Sequence, residues 1–443
     1  MHFRRLILLC ALPLCGQTPV SFHNDIRPIL SAQCAGCHQP ASMQADLLLT
    51  SYDGLRKGGR KGPAVTSGNA PESLLIRYLT GALTPQMPFG GKPLPDAQID
   101  LFRRWIAEGA RDDTPAGAAA AAVARKAVTY KTAPMITALA FSPDGATIAA
   151  SGYHEILLTT VDGRLQARLP GLSMRIHSLA FTPDGATLVA AGGDPARFGE
   201  VQIWDVAARR QRHSIVVSSD TLFGGSLSPD GTRLAAGAPD KAIRVFDVTS
   251  GKEIRRIDHH EDWVFGTVFG VDGKRLVSVG RDRAAKLTDV ETGRFVENVN
   301  LLREPLAAVV RHPKKDWIVV GGQERIPYLY RMDRPRAMRI ADDSTLIQKF
   351  ERQDGPILAV AISPDGTRIA AGSEAGDARV YEAETGKLLA RCGGHTGGVY
   401  VVQFTPDGSH LVTGGFDGTL RFYDMTGKQA RAFVPAPLEV AAR

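Results

Sequence analysis

Apolar and polar positions follow two different periods along the chain. Up to about residue 112 the spacing is helical. Phe22, Ile26, Ile29 and Leu30 recur as one face of a helix would require. The stretch PESLLIRYLTG predicts a second helix, opened by Pro71 and stopped at Gly81. DAQIDLFRRWIAEGA predicts a third, with Asp96 as N-cap, Gly109 as terminator and Ile99, Phe102, Trp105 and Ile106 on the inward face. Residues 113–127 are alanine-rich without an apolar face and read as a linker.

Beyond the linker the period lengthens. FSPDG, FTPDG, LSPDG, FGVDG, VRHPKKD, ISPDG and FTPDG recur, with the proline position (valine in the fourth) at 143, 183, 229, 271, 313, 364 and 406. The spacings are 40, 46, 42, 42, 51 and 42 residues, the longest containing RPRAMRIADDSTLIQKF, read as an inserted surface loop. An apolar strand precedes each turn, and a second, ending in small residues, follows it (TIAASG, TLVAAGG, HLVTGG). A third strand such as VQIWDV or LRFYDM comes next, and a TGK-like turn introduces a fourth. Four strands in each of seven units predict a seven-bladed β-propeller over 128–435, with a C-terminal tail at 436–443. Two segments compete for the closing strand, AVTYKT at 127–132 and KQARAFV at 428–434.

The units resemble WD repeats in degenerate form. Trp204-Asp205 keeps the dipeptide, where Phe246-Asp247, Thr288-Asp289 and Tyr423-Asp424 replace it. His395, Thr413 and Asp417 have the look of a catalytic set, but His260, Ser278 and Asp282 repeat the same offsets in an earlier unit. A triad has no reason to recur at repeat register, so a structural hydrogen-bond network is expected and no catalytic residue is assigned. The tryptophan that completes such a network in WD repeats is missing from both.

Composition adds little. Apolar residues make up 44% and charged residues 22%, ordinary globular values. The net charge of +7 is dispersed: +2 from Arg4 and Arg5, +1 over residues 21–115 and +4 over the remainder. Without a basic block, nucleic acid is not an expected partner. The first 16 residues, an arginine pair followed by an apolar run from Leu6 to Leu14, read as a signal peptide too short to span a bilayer. Bulky Leu14 argues against a lipid anchor on Cys15. The mature chain is expected to be periplasmic or secreted, with no membrane span.

Of five cysteines, Cys10 and Cys15 leave with the signal, and Cys392 on a predicted strand reads as a small core residue. Cys34, Cys37 and His38 remain, in SAQCAGCHQP. Structural zinc needs a second ligand pair, which the sequence lacks. A redox-active Cys-x-x-Cys expects a βαβ setting, and its flanks here are helical. Covalent haem attachment accounts for all three residues: thioethers from Cys34 and Cys37, and His38 as the proximal iron ligand. Met87, between Pro85 and Pro88, is the expected second axial ligand. Met43 is too close in sequence to His38 to pass the ring edge, and His23 is a bis-histidine alternative.

FHNDIRPILSAQCAGCH, LLLTSYDGLRKGGRKGPAVTSGNAPESLLIRYLTG and MPFGGKPLPDAQIDLFRRWIAEGA together resemble the planctomycete-type cytochrome c domain over about 21–112. The resemblance implies one covalent haem c on Cys34 and Cys37, with His38 and Met87 as axial ligands. The expected architecture is thus multidomain, α plus all-β: a small helical c-type cytochrome domain followed by the propeller. The expected function is periplasmic electron transfer by an exported monohaem cytochrome whose propeller binds a protein redox partner. Two rival readings are an enzyme with substrate in the propeller channel and haem as electron outlet, and a redox-sensing interaction scaffold.

Overall fold

The computed structural model describes residues 19–34, 37–39, 42–49, 51–113, 128–301, 303–334 and 342–439. The signal peptide and nearly all of the expected linker lie outside these residues. The chain divides into two compact units, one comprising 1–34 and 44–114, the other 35–43 and 115–443.

The first unit is helical. A π-helical turn, Phe22–Ile26, runs into α1 (Arg27–Gln33); α2 (Tyr52–Lys57), α3 (Leu74–Leu79) and α4 (Asp96–Ala107) follow. Phe22, Ile26, Ile29 and Leu30 are buried together with Ile99, Phe102, Trp105 and Ile106, as their spacing predicts. The rings of Phe22, Tyr52 and Trp105 pack at centroid distances of 5.1 to 6.5 Å. Two helix starts differ from expectation. The helix predicted from Pro71 begins at Leu74, because the Ser73 hydroxyl bonds back to Asn69 O (2.8 Å) and accepts from Thr66 N (2.9 Å), holding 69–73 in turns. Asp96 is the first helical residue and Pro95 the N-cap, so Asp96 acts on the helix dipole without capping by hydrogen bond. Gly109, at φ 102°, ends that helix as expected.

The second unit carries seven four-stranded antiparallel sheets, each built from strands consecutive in the chain: 139–170, 175–218, 225–257, 264–298, 306–349, 357–392 and 399–433. The apolar core lies between blades. Leu158 and Leu169 of blade 1 pack with Ile176 and Trp204 of blade 2, and equivalent clusters join each later pair. Leu346–Lys349, in the segment read as an insertion, is the outer strand of blade 5, so the extra length is confined to the residues before it. Cys392 is buried at the end of its strand, and burial pushes its thiol up to about 12.

The repeated turns explain themselves. In blade 1 the Ser142 hydroxyl donates to Asp144 (2.5 Å), Asp144 accepts from Ala146 N (3.0 Å), and Gly145 takes φ 72°. Blade 5 has neither aspartate nor glycine there. Its His312 Nδ1 accepts instead from the Lys314 and Lys315 amides, at 3.0 and 3.1 Å.

KQARAFV, not AVTYKT, forms the closing blade's outer strand, as Gln429–Phe433 paired to Leu420–Asp424. The ring closes with the same bond that joins other neighbours. Ile136 N donates to Gly415 O (2.9 Å), as Leu222 N does to Gly192 O (2.9 Å) and Val264 N to Ala238 O (3.2 Å). Ile136, Leu139 and Phe141 then pack on Val412, Leu420 and Phe422. Tyr130 lies against blade 1, donating to Glu155 (2.6 Å), and forms a parallel bridge with Leu438 of the tail. Arg168 holds Glu155 through two bonds (2.6 and 2.7 Å).

The two His-hydroxyl-Asp sets are assembled as structural networks. His260 Nδ1 donates to Asp282 (2.9 Å) while Nε2 accepts from Ser278 (2.7 Å); His395 makes the same contacts with Asp417 (2.9 Å) and Thr413 (2.7 Å). A feature missed in the sequence is a cation four residues after the aspartate. Lys286 stands 3.3 Å from Asp282, Arg421 3.2 Å from Asp417, and Arg244 2.5 Å from Asp240 in blade 3, where no histidine takes part. Blade 2 substitutes a buried chain in which Trp204 donates to Gln202 (3.0 Å) and Gln202 to Glu200 (2.8 Å).

Burial alone would raise the Asp282 carboxyl, but His260, the Glu261 amide and Lys286 outweigh it and bring it down to about 2. A carboxyl that titrates lower when folded stabilises the fold above its ordinary range near pH 4 and loses that contribution as pH falls toward 2. Thermal melts should therefore drop across that window. Asp282→Asn should cost on the order of 2 kcal/mol at neutral pH and flatten that part of the profile; an unchanged profile counts against the network. Tyr130→Phe, which leaves the Glu155–Arg168 pair intact, should cost about 1 kcal/mol in a denaturant titration.

Candidate haem-attachment site

Ser21 starts the helix that leads to the cysteines. Its hydroxyl accepts from Asn24 N (2.9 Å), and its own amide donates to Asp25 (2.9 Å), so two amides at the helix start are satisfied locally. The buried face of that helix fixes its rotation against α4. Cys34 caps the C-terminus of α1, its amide donating to Leu30 O (2.9 Å), and its half-buried side chain packs on the helical core. Cys37 is exposed, and His38 is buried. His38–Gln39 pairs with Ser42–Met43 in a two-residue ladder that sets Met43 directly opposite His38 along the backbone. The boundary between the compact units falls inside the motif, Cys34 going with the helices and 35–43 with the second unit.

Met87 reaches the helical core from the loop after α3. Gly81, at φ 76°, turns the chain out of the helix. The Leu83 amide then donates to Arg77 O and the Met87 amide to Tyr78 O, both at 3.0 Å. The Gln86 side chain donates to Leu79 O (3.2 Å). Those bonds fasten the loop to the end of α3 and leave the Met87 thioether half-buried against the same apolar cluster as Cys34. Phe89, two residues on, is 76% exposed. His23 sits in the π-helical turn with its amide on Asp113 (2.9 Å) and a buried Nδ1 that has no hydrogen-bond partner among the described residues. It lies eleven residues before Cys34.

The donor set fits a c-type haem: two thiols three apart at the end of a helix, an imidazole adjoining the second, and a thioether held on the core that Cys34 also touches. Among the described residues, no three His, Cys, Asp or Glu side chains converge as a structural zinc site would require.

Comparison with known families agrees with both halves. Residues 34–88 match the planctomycete cytochrome C family. Residues 251–289, 344–382 and 386–424 match the WD domain, G-beta repeat. No curated protein matches the chain. The three WD matches cover units that retain a polar side chain at the histidine position: His260, Gln353 and His395. Gln353 donates to the Tyr381 hydroxyl at 3.2 Å, a reduced version of the histidine network. The chain thus joins a cytochrome c-like domain to a seven-bladed propeller containing WD repeats.

Proposed function

We propose that the chain is an exported monohaem cytochrome c that carries electrons in the periplasm, with the propeller holding a protein partner. The observation that supports this most is the packing of Cys34 and Met87 on one apolar cluster, with His38 next to the second thiol. Cys34 and Cys37 would hold the haem through thioether bonds, and His38 and Met87 would be the axial ligands. When bound, the group supplies a one-electron ferric–ferrous couple.

The chain's own residues set the conditions for that couple. Burial of His38 keeps solvent from competing for its imidazole. The Tyr78 carbonyl and the proline on each side of the Gln86–Met87 pair restrict the loop, so the thioether is presented with little freedom left to lose. A thioether is a soft ligand that favours the reduced iron and a high potential. Met43, five residues after His38 and paired with it along the backbone, is too close in sequence to pass the ring edge. The propeller contributes a rigid frame, and WD propellers generally serve protein–protein contact.

Protein made with cytochrome maturation machinery should keep its haem through denaturing electrophoresis, and Cys37→Ser should reduce the retained haem severalfold. Haem that extracts freely from the wild-type chain overturns the attachment. Met87→Ala should abolish the weak far-red charge-transfer band of the ferric protein and lower its potential, while Met43→Ala changes neither. Persistence of the band without Met87 would reassign the ligand.

A further inference from the structure

Equivalent positions of the seven innermost strands carry a pattern that the repeat turns hide. A buried aliphatic residue stands at or just before the start of each strand, or one residue into it: Ile136, Ile176, Leu222, Val264, Leu306, Ile357 and Val399, none more than 8% exposed. In blades 2, 4, 5, 6 and 7 the next residue is a β-bulge, left without a ladder partner. Those residues are His177, Phe265, Ala307, Leu358 and Tyr400, and the register of the other two blades puts Thr137 and Phe223 in the same place. All seven are half-buried.

Those of blades 2 to 4 meet one another at the mouth of the central channel where the innermost strands begin. His177 and Phe223 have ring centroids 5.5 Å apart, and Phe223 and Phe265 5.1 Å. Trp263, 37% exposed, stacks on Phe223 at 5.9 Å and meets Phe265 edge-on at 6.2 Å. Across the mouth, Leu358 and Tyr400 both close on Gly398. Blades 2 to 4 thus offer a continuous aromatic wall, with Ala307, Leu358 and Tyr400 on the other side. The ring itself carries no charge at neutral pH: burial and the nearby Arg175 push the His177 imidazole down to about 4.

Charge lies at the rim. Arg175 is exposed and makes no ion pair among the described residues. Arg281 lies over the Trp263 ring at 5.5 Å, with Asp262 3.7 Å from its guanidinium. Glu374 stands on the far rim beside Leu358 and Tyr400. A cationic side chain entering the mouth would meet the arginine-bearing wall. An apolar one flanked by carboxylates would have both its body and its charge matched.

We propose that this mouth docks an extended segment of a partner protein, which inserts a large aromatic side chain against Phe223, Phe265 and Trp263 and lays acidic residues over Arg175 and Arg281. The inference rests on the reading that the propeller holds a partner and specifies that partner's chemistry. An aromatic side chain would gain both area and ring contacts here, and the carboxylates would fix its direction.

The test uses the full haem-loaded chain and a fluorescein-labelled peptide, Asp-Asp-Gly-Trp-Gly-Ser-Ser, followed by anisotropy. Replacing its Trp by Ala, or its two Asp by Lys, should weaken binding about tenfold or more. Phe223→Ala and Arg175→Glu should each weaken the Trp peptide at least about fivefold. Circular dichroism and a thermal melt check that Phe223→Ala is folded, and Arg175→Glu, at an exposed position, does not depend on that check. Absence of binding, equal binding of the Ala peptide, or preference for the Lys peptide overturns the proposal. So does binding that neither variant alters. Haem retention on denaturing gels is measured on the same samples, so a failed docking site is distinguished from a failed cytochrome reading.

Discussion

The aliphatic residue at the start of each innermost segment, Ile136 and its equivalents, joins neighbouring blades. Its side chain is buried in the cluster shared with the preceding blade, and in blades 1, 3 and 4 its amide donates across the blade boundary. Apolar burial at roughly 25 cal/mol per Å² supplies the driving force, and the directional bond fixes the angle between sheets. Because the bond between Ile136 and Gly415 repeats the bonds elsewhere, the last boundary needs no strand exchanged between the chain ends. In blades 2, 4, 5, 6 and 7 the residue after it is a bulge, left without a ladder partner.

Much of this was legible from spacing. Turns such as FSPDG announce themselves because Asp144 and Gly145 are required by the turn itself, whatever the packing around it. Blade 5 was recognisable only from its position in the series, since His312 replaces that chemistry by another route. The fourth strand of blade 5 was hidden because Leu346–Lys349 lies in a segment whose sequence lacks the repeat pattern, and only its pairing identifies it. The aromatic wall was hidden for the opposite reason. His177, Phe223 and Phe265 share a place but not a residue type, so no periodic letter marks them.

For the haem site, the sequence names residues whose chemistry is carried by their order: Cys34, Cys37 and His38 are recognisable because the spacing is the signal. Met87 is the expected ligand by elimination and by its prolines. The physical reason it lies on the helical core is the hydrogen bonding of its loop to the end of α3, which no local pattern records. The N-terminal residue of α4 was misplaced by one, because proline and aspartate both suit a helix start and only backbone angles separate their roles.

Self-contained blades also bear on how such a chain could be rearranged. Where a propeller closes by pairing strands from opposite ends, its termini are committed to one sheet. Here Tyr130 and Leu438 run side by side, with the Glu439 amide on Tyr130 O at 2.9 Å, while every sheet is complete without either. Beginning and end of the ring are therefore neighbours, and each connection between blades is topologically equivalent to the gap between them. A circular permutant joined at that point and opened between any other two blades would keep every sheet intact, so the order of the blades in the gene is a matter of history more than of mechanics.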